Sequence, residues 1–510
     1  MRMQSYIAGQ WQDNGQVVGQ AHCALDGSVM AEIAGHDLNG GQILDYARNV
    51  GSPALRELTY LQRAELLKQI AAVLSENKDR YAELSAKNNG ATAMDTFLDV
   101  EGGIGTMKYY ASIGKRLGER RWMAEGDLEQ LTKDENFRAL HVLTPIRGAA
   151  VHINAFNFPA WGMLEKLSVA LLSGVATVVK PATSTLPVAW AMVQDIVAAN
   201  ILPAGALTLL AGGGRDLTDY LTSEDALAFT GSADTAAMLA AHPRIISESV
   251  RFNAEADSIN SIVMGPDIVP ESDGFKSFVH EVSKEMTVKS GQKCTAVRRI
   301  FVPAAHLEAA QAALIAKLSK NVLGNPATEG VTYGPLVSAS QKQAAVDGVA
   351  ALAPETEVVF EGAMGGEAEG FYFTQKLLLC KDPLTAKTVH ETEVFGPVAT
   401  LMSYESEEQL FDLVRRGGGS LVSSVFTNDD NFMIEAVQQL GSTHGRLLFV
   451  DDSISRSHSG HGNVMPMCIH GGPGRAGGGQ ELGGLRGLDF YHARTAVQTN
   501  LARATALQEG

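Results

Sequence analysis

Between residues 148 and 255 the chain repeatedly sets a short, largely apolar run before a helical pattern, and no other feature restricts its fold as much. GAAVHI precedes a helical stretch over 161–172, and VATVV one over 187–199. ALTLLA precedes the turn GGGR (212–215), and ALAFT runs into Gly231-Ser232 and a helix start. A strand with one wet face alternates apolar with polar residues. These runs do not alternate, so both of their faces must be covered. Short strands covered by returning helices form a parallel, doubly wound α/β sheet. Ligands of such sheets sit beyond the carboxyl ends of the strands. That edge would gather Asn157, Lys180, Gly212–Gly214, Gly231 and Ser232.

A second α/β unit begins near Asn260, with strands RRIFVP, VATLMS and LVSSVF and a helix over 304–321. Ahead of the first unit, residues 1–50 read as short strands and turns. Thr59 and Gln62 form a capping box for a helix whose one face carries Leu66, Leu67, Ile70, Val73 and Leu74. Helical pattern continues to about Lys87 and returns over 103–117. Residues 120–147 are charged and alternating, as in exposed strands. They predict either an arm reaching to another subunit or a surface hairpin. At 510 residues the chain exceeds a single core. We expect residues 1–119 with 148–259 as one domain, 260–487 as a second, and 120–147 with 488–510 as an oligomerisation arm.

A net charge of −16 excludes the basic face that nucleic-acid binding requires. Cys23, Cys294, Cys380 and Cys468 form no CxxC pair, so neither a zinc site nor a disulfide framework is expected. His458 and His461 lack partners at ligand spacing, and no metal is expected there either. The N-terminus has no apolar run suited to a signal peptide, and the most apolar stretch, 167–179, is too short to span a bilayer. The expectation is a cytoplasmic protein without membrane contact.

Chemistry enters with EMTVKSGQKCTAVR, which places Cys294 in a short turn beside Gly291 and Lys293. Lys293 would favour a thiolate if the geometry allowed, and a single activated cysteine is a nucleophile candidate. Cys294 is not alone. FNFP with Asn157, VVKPAT with Lys180, FTGS with Gly231 and Ser232, Glu255, GQKC, and EVFGPV with Glu393 and Phe395 follow in that order. In this order and spacing the motifs resemble the aldehyde dehydrogenase superfamily over essentially the whole chain. The resemblance implies a Rossmann-type cofactor domain, an α/β catalytic domain and a β oligomerisation arm, assembled as a homodimer or higher homo-oligomer.

Further phrases, INAFNFPAWG, EADSIN, EMTVKSGQKCTAVRR and HGGPGRAGGGQELGGLR, are similar to one subgroup. Its members oxidise CoA-linked semialdehydes produced by ring cleavage in aerobic benzoate and phenylacetate degradation. Because the chain ends soon after its glycine-rich tail, we expect the stand-alone form and not the one that carries a hydratase-type domain.

By this resemblance Cys294 attacks the aldehyde, Asn157 and the Cys294 N–H hold the oxyanion, and Glu255 serves as general base. Glu481 of QELGG is an alternative base or proton relay. Lys180 would reach the adenosine ribose or a phosphate, Ser232 and Gly231 the pyrophosphate, Glu393 the nicotinamide ribose, and Phe395 the nicotinamide. Many NAD-preferring relatives carry a glutamate three residues after the lysine. Thr183 stands there instead. A hydroxyl does not repel a 2′-phosphate, so NADP is the expected cofactor, with NAD possible; Arg215 could pair with the extra phosphate. Two departures stand out: EADSI replaces the usual ELGGK beside Glu255, and Ala236 replaces a usual glycine. The alternatives are a CoA-acylating aldehyde dehydrogenase, or a catalytically silent relative serving as a structural or binding protein.

Overall fold

The computed structural model describes residues 1–366 and 369–509, and of Arg215 the backbone alone. Two seven-stranded sheets dominate. In the first, Arg251–Glu255, Ala226–Thr230, Ala149–Ile153, Ala176–Lys180 and Leu207–Leu209 lie side by side and parallel. Ser5–Ile7 and Gln10–Gln12 extend it antiparallel at one edge. Helices Trp161–Ser173 and Leu186–Ala198 return the chain between the central strands, and their apolar faces are almost wholly buried. Lys180 ends its strand, and Asn157, Gly212–Gly214 and Gly231-Ser232 follow carboxyl ends of these strands.

The second sheet runs Glu357–Glu361, Lys376–Leu379, Val398–Tyr404, Arg299–Pro303, Ser261–Met264, Ser420–Phe426, His444–Val450, parallel except for the first strand. Ser420–Phe426 is buried along its full length, which is why LVSSVF shows no alternation of face. A third sheet joins Met123–Gln130, Phe137–Pro145 and His492–Asn500, all antiparallel. The charged 120–147 stretch is thus a hairpin. Its third strand comes from the same chain and ends at Asn500, where helix Leu501–Glu509 begins.

Three local readings are corrected. Residues 1–50 contain a helix, Gly40–Tyr46, which continues through a wide turn into Ser52–Arg56. Asn39 and Gln42 cap it reciprocally, a signal overlooked because Gly40-Gly41 reads as a turn. ISESVRF (246–252) reads as a strand, but its first two residues close a short helix, Pro243–Ser247, and the strand is Arg251–Glu255. The helix expected over 304–321 is Leu307–Leu318, preceded by a 3-10 turn. The Thr59–Gln62 box does cap Tyr60–Glu76. Among the described residues no helix is long and apolar enough to cross a membrane.

Candidate active site

Helix Asp273–Thr287 stops one residue short of a left-handed bend. Lys289, Ser290 and Gly291 all take left-handed backbone angles, with φ of 53°, 53° and 69°. For residues bearing a Cβ this conformation costs of order 1–3 kcal/mol each, so the surroundings must impose it. The Lys289 N–H donates to the Asp95 carboxylate at 2.6 Å, and the Ser290 hydroxyl donates to the Gly334 carbonyl at 2.7 Å. At Gly291 a Cβ would lie 2.3 Å from the Gly396 carbonyl oxygen, so only glycine fits. Asn260, from EADSIN, donates its amide to the carbonyls of Cys294 and Ala296 at 2.7 and 3.0 Å. These contacts present the Cys294 side chain to a cavity of about 480 Å³, part of it open to solvent.

Asn157, Trp161, Glu165, Glu255 and His470 line the same cavity. Asn157 lies beyond the carboxyl end of Ala149–Ile153, and Glu255 ends its own strand. The structure thus brings Asn157, Glu255 and Cys294 together, with nucleophile and carboxylate reaching the cavity from different sheets. Lys293 does not face the thiol. Its ammonium is held by the buried Glu285 at 2.7 Å, so the thiolate-favouring role expected for it is corrected. Burial pushes the Cys294 thiol well above its ordinary value, and the neighbouring Glu255 charge pushes it further. At rest Cys294 is therefore a thiol next to a carboxylate. Burial opposes the Glu255 charge, but His470 at 2.7 Å outweighs it and keeps this carboxylate below the usual range.

The glycine-rich tail explains the departure at EADSI. Strands Ile469–Gly471 and Gln480–Leu482 form a hairpin in which His470 faces Glu481. The connecting loop lies against the Glu255 strand: the Ala256 N–H donates to the Ala476 carbonyl, and the Gly479 N–H to the Ala254 carbonyl, both at 3.0 Å. At Gly477, φ is 102° and a Cβ would lie 2.4 Å from the Ala254 oxygen. The glycines permit this backbone contact, which supports the segment after Glu255.

Glu481 stands one layer behind the cavity and does not line the Cys294 pocket. It pairs with Lys166 at 3.0 Å and accepts from the Asn253 amide at 3.2 Å. Lys166 also holds Glu165, at 3.1 Å. Burial raises the Glu165 carboxyl to about 7, and burial works against the Lys166 charge, but Glu481 and Glu165 together hold that lysine protonated. Removing one partner from such a set strands the others. Lys166→Met is expected to lower stability by about 3–5 kcal/mol, read as a shift in the chemical-denaturation midpoint.

The remaining positions lie along the sheet edge. Lys180 closes Ala176–Lys180, its carbonyl accepting the Asn154 N–H at 3.1 Å, and Thr183 opens the next turn. The Gly231 N–H donates to the Glu255 carbonyl at 3.1 Å. Ser232 is exposed and caps helix Ala233–Ala240, in which Ala236 is buried. An exposed helix start with a hydroxyl, on the same sheet edge as a lysine two strands away, suits a phosphate group. Glu393 lies between the Ser258 N–H at 3.2 Å and Arg298 at 3.4 Å, and burial raises it to about 7. Phe395 meets Phe156 edge-on at 5.6 Å and stacks under Arg298 at 5.4 Å. A dinucleotide fits this donor set. The Arg215 side chain is outside the described part.

Sequence reasoning missed Glu165, Lys166, Arg298 and His470. A charged pair inside the otherwise apolar WGMLEKLSVALLS was the available signal for the first two.

Comparison with known proteins gives the family and the fold. The family model described as the aldehyde dehydrogenase family matches residues 17–496. A 3,4-dehydroadipyl-CoA semialdehyde dehydrogenase of Aromatoleum evansii is 45% identical over 479 residues, covering 93% of each chain. Among solved structures, a 3,6-anhydro-L-galactose dehydrogenase in complex with NAP superposes with a TM-score of 0.84 at 23% identity, over 98% of this chain and 100% of that one. The lactaldehyde dehydrogenase of Escherichia coli gives 0.84 at 22% identity, over 98% of this chain and 99% of that one. These likenesses establish the fold, and the match over residues 17–496 establishes the kinship: the chain belongs to the aldehyde dehydrogenase family and is an NAD(P)-dependent aldehyde oxidoreductase.

Proposed function

We propose that this enzyme oxidises a CoA-linked semialdehyde from aerobic aromatic-ring degradation, of the 3,4-dehydroadipyl-CoA semialdehyde type, to the free carboxylic acid, with NADP as its preferred cofactor. The substrate class rests on the 45% identity to the Aromatoleum protein. The hydrolytic outcome rests on one observation: a buried carboxylate, Glu255, lines the same cavity as Cys294, with an oxygen within 4.8 Å of its sulfur.

The chemistry follows from those groups. The Cys294 thiol gives up its proton to solvent, and the thiolate adds to the aldehyde carbon. The new oxyanion is met by the Asn157 amide and the Cys294 N–H, donors that act before solvent can reorganise. Bound nicotinamide supplies the hydride acceptor. The Cys294 thioester that remains is attacked by water, with Glu255 taking the proton. The acid then leaves, and the thiol is restored.

The NADP preference rests on Thr183, which opens the turn after Lys180. A carboxylate there would face a 2′-phosphate with like charge. Thr183→Glu is expected to lower kcat/KM for NADP by about tenfold or more, some 1.4 kcal/mol, and to leave that for NAD within about threefold. Steady-state kinetics with both cofactors, on free and CoA-linked aldehydes, measures this. Equal or better use of NAD by the unaltered enzyme defeats the cofactor reading. Product analysis with added free CoA tests the rest: acyl-CoA without free acid would replace hydrolysis by CoA acylation.

A further inference from the structure

Glu255 is 2% exposed, and its carboxylate takes no hydrogen bond from a backbone N–H. A carboxyl buried in this way ordinarily holds its proton at neutral pH and cannot serve as a base. One charged side chain touches it: the His470 Nε2 lies 2.7 Å from Glu255 Oε2, and His470 is itself 8% exposed. The carboxylate oxygen, the imidazole nitrogen and Cys294 Sγ all lie within 4.8 Å of one another. The hairpin register fixes His470 opposite Glu481, whose charge is already taken by Lys166.

We propose that His470 is the positioning residue that keeps Glu255 ionised and aimed at Cys294, so that the general base works at neutral pH. This rests on Glu255 being that base.

The charged groups around His470 agree. Facing it are Glu255 from the first sheet, Glu165 and Lys166 from helix Trp161–Ser173, Glu481 from the paired strand, and Cys294 from the turn. Arg446, on the strand packed behind, is tied to the His461 and Asn463 carbonyls. Three carboxylates and one lysine leave the pocket short of positive charge, and an imidazolium at His470 reduces the deficit. Burial opposes that charge, but Glu255 and the other two carboxylates outweigh it and raise His470 above its ordinary value. Glu165 shows the contrast. It lines the same cavity with Lys166 shared between it and Glu481, and burial leaves it near neutrality, at about 7.

The test is His470→Gln, which keeps a hydrogen-bond donor and removes the charge. With its counter-ion gone, the buried Glu255 rises by several pH units, so only a minor fraction is ionised at pH 7. We expect kcat at pH 7 to fall about 10- to 100-fold, with KM for the cofactor unchanged. The loss should close as pH rises toward 9, because Glu255 re-ionises in the variant. His470→Ala, which opens a ring-sized gap, should be partly restored at pH 7 by added imidazole. A loss equal at every pH, or a kcat within twofold of the unaltered enzyme at pH 7, overturns the proposal. So does a His470→Ala variant with a normal thermal transition that imidazole does not improve. If Glu255→Gln abolishes turnover while His470→Gln is silent, this inference falls alone. If Glu255→Gln is silent, the base assignment falls with it.

Discussion

Cys294→Ala will leave essentially no aldehyde-dependent NAD(P) reduction, a loss of at least about ten-thousandfold in kcat. The size follows from what the site lacks. Asn157, Glu165, Glu255 and His470 line the cavity with Cys294, and the carboxylates cannot form and release the same thioester. The other thiols offer no substitute: Cys23 and Cys380 are buried, Cys468 is exposed, and none of the three lines the Cys294 cavity. The substitution also leaves the fold intact. The left-handed turn is held by Asp95 and Gly334, and the Asn260 amide binds the Cys294 carbonyl, which alanine retains. The variant should therefore keep a normal thermal transition and bind cofactor. Cys468→Ala is the control with unchanged turnover. A Cys294→Ala enzyme that still reduces cofactor would end the thiol mechanism.

Glu255→Gln is expected to lower steady-state kcat about a thousandfold and to do so at one step. Glutamine keeps the volume and cannot accept a proton. The Glu255 charge is one cause of the high Cys294 value, so its removal makes the thiolate easier to form. Acylation should then survive while hydrolysis stalls. Rapid mixing should show a burst of about one equivalent of reduced cofactor per active site. Mass spectrometry should find the acyl group on Cys294. The absence of both the burst and the adduct, with kcat nonetheless lost, would move the role of Glu255 to thiol activation. Unchanged kcat would remove Glu255 from the mechanism.

Much of the site was legible in the sequence because its members lie in short contiguous phrases. Asn157 precedes Phe158-Pro159, Cys294 follows Gly291, and Glu255 sits in FNAEADS, each at a strand or helix end where the backbone leaves regular structure. The sheet order was legible for a related reason. Strands buried on both faces lose their alternation, and Ala226–Thr230 emerged with the bounds that its apolar run suggested. Long-range pairing was not legible. His470 lies in a glycine-rich tail that reads as a loop, and only the hairpin with Gln480–Leu482 carries it to Glu255, 215 positions earlier in the chain. Lys293 gave the opposite error: adjacency suggested contact with the thiol, whereas its ammonium reaches back to Glu285 on the preceding helix. The helix at Gly40 was hidden by paired glycines whose cap, Asn39, was the informative residue.

The carboxylates around Cys294 also bear on how a turnover ends. Under the proposed reaction an uncharged aldehyde group enters a pocket lined by Glu165 and Glu255, with Glu481 immediately behind. Hydrolysis converts it there into an anion. The newly formed acid meets like charge in a low-dielectric space where such repulsion is strong, while a fresh aldehyde does not. The same wall that supplies the base thus works as an electrostatic valve: it admits the substrate, ejects the product, and disfavours return of the free acid.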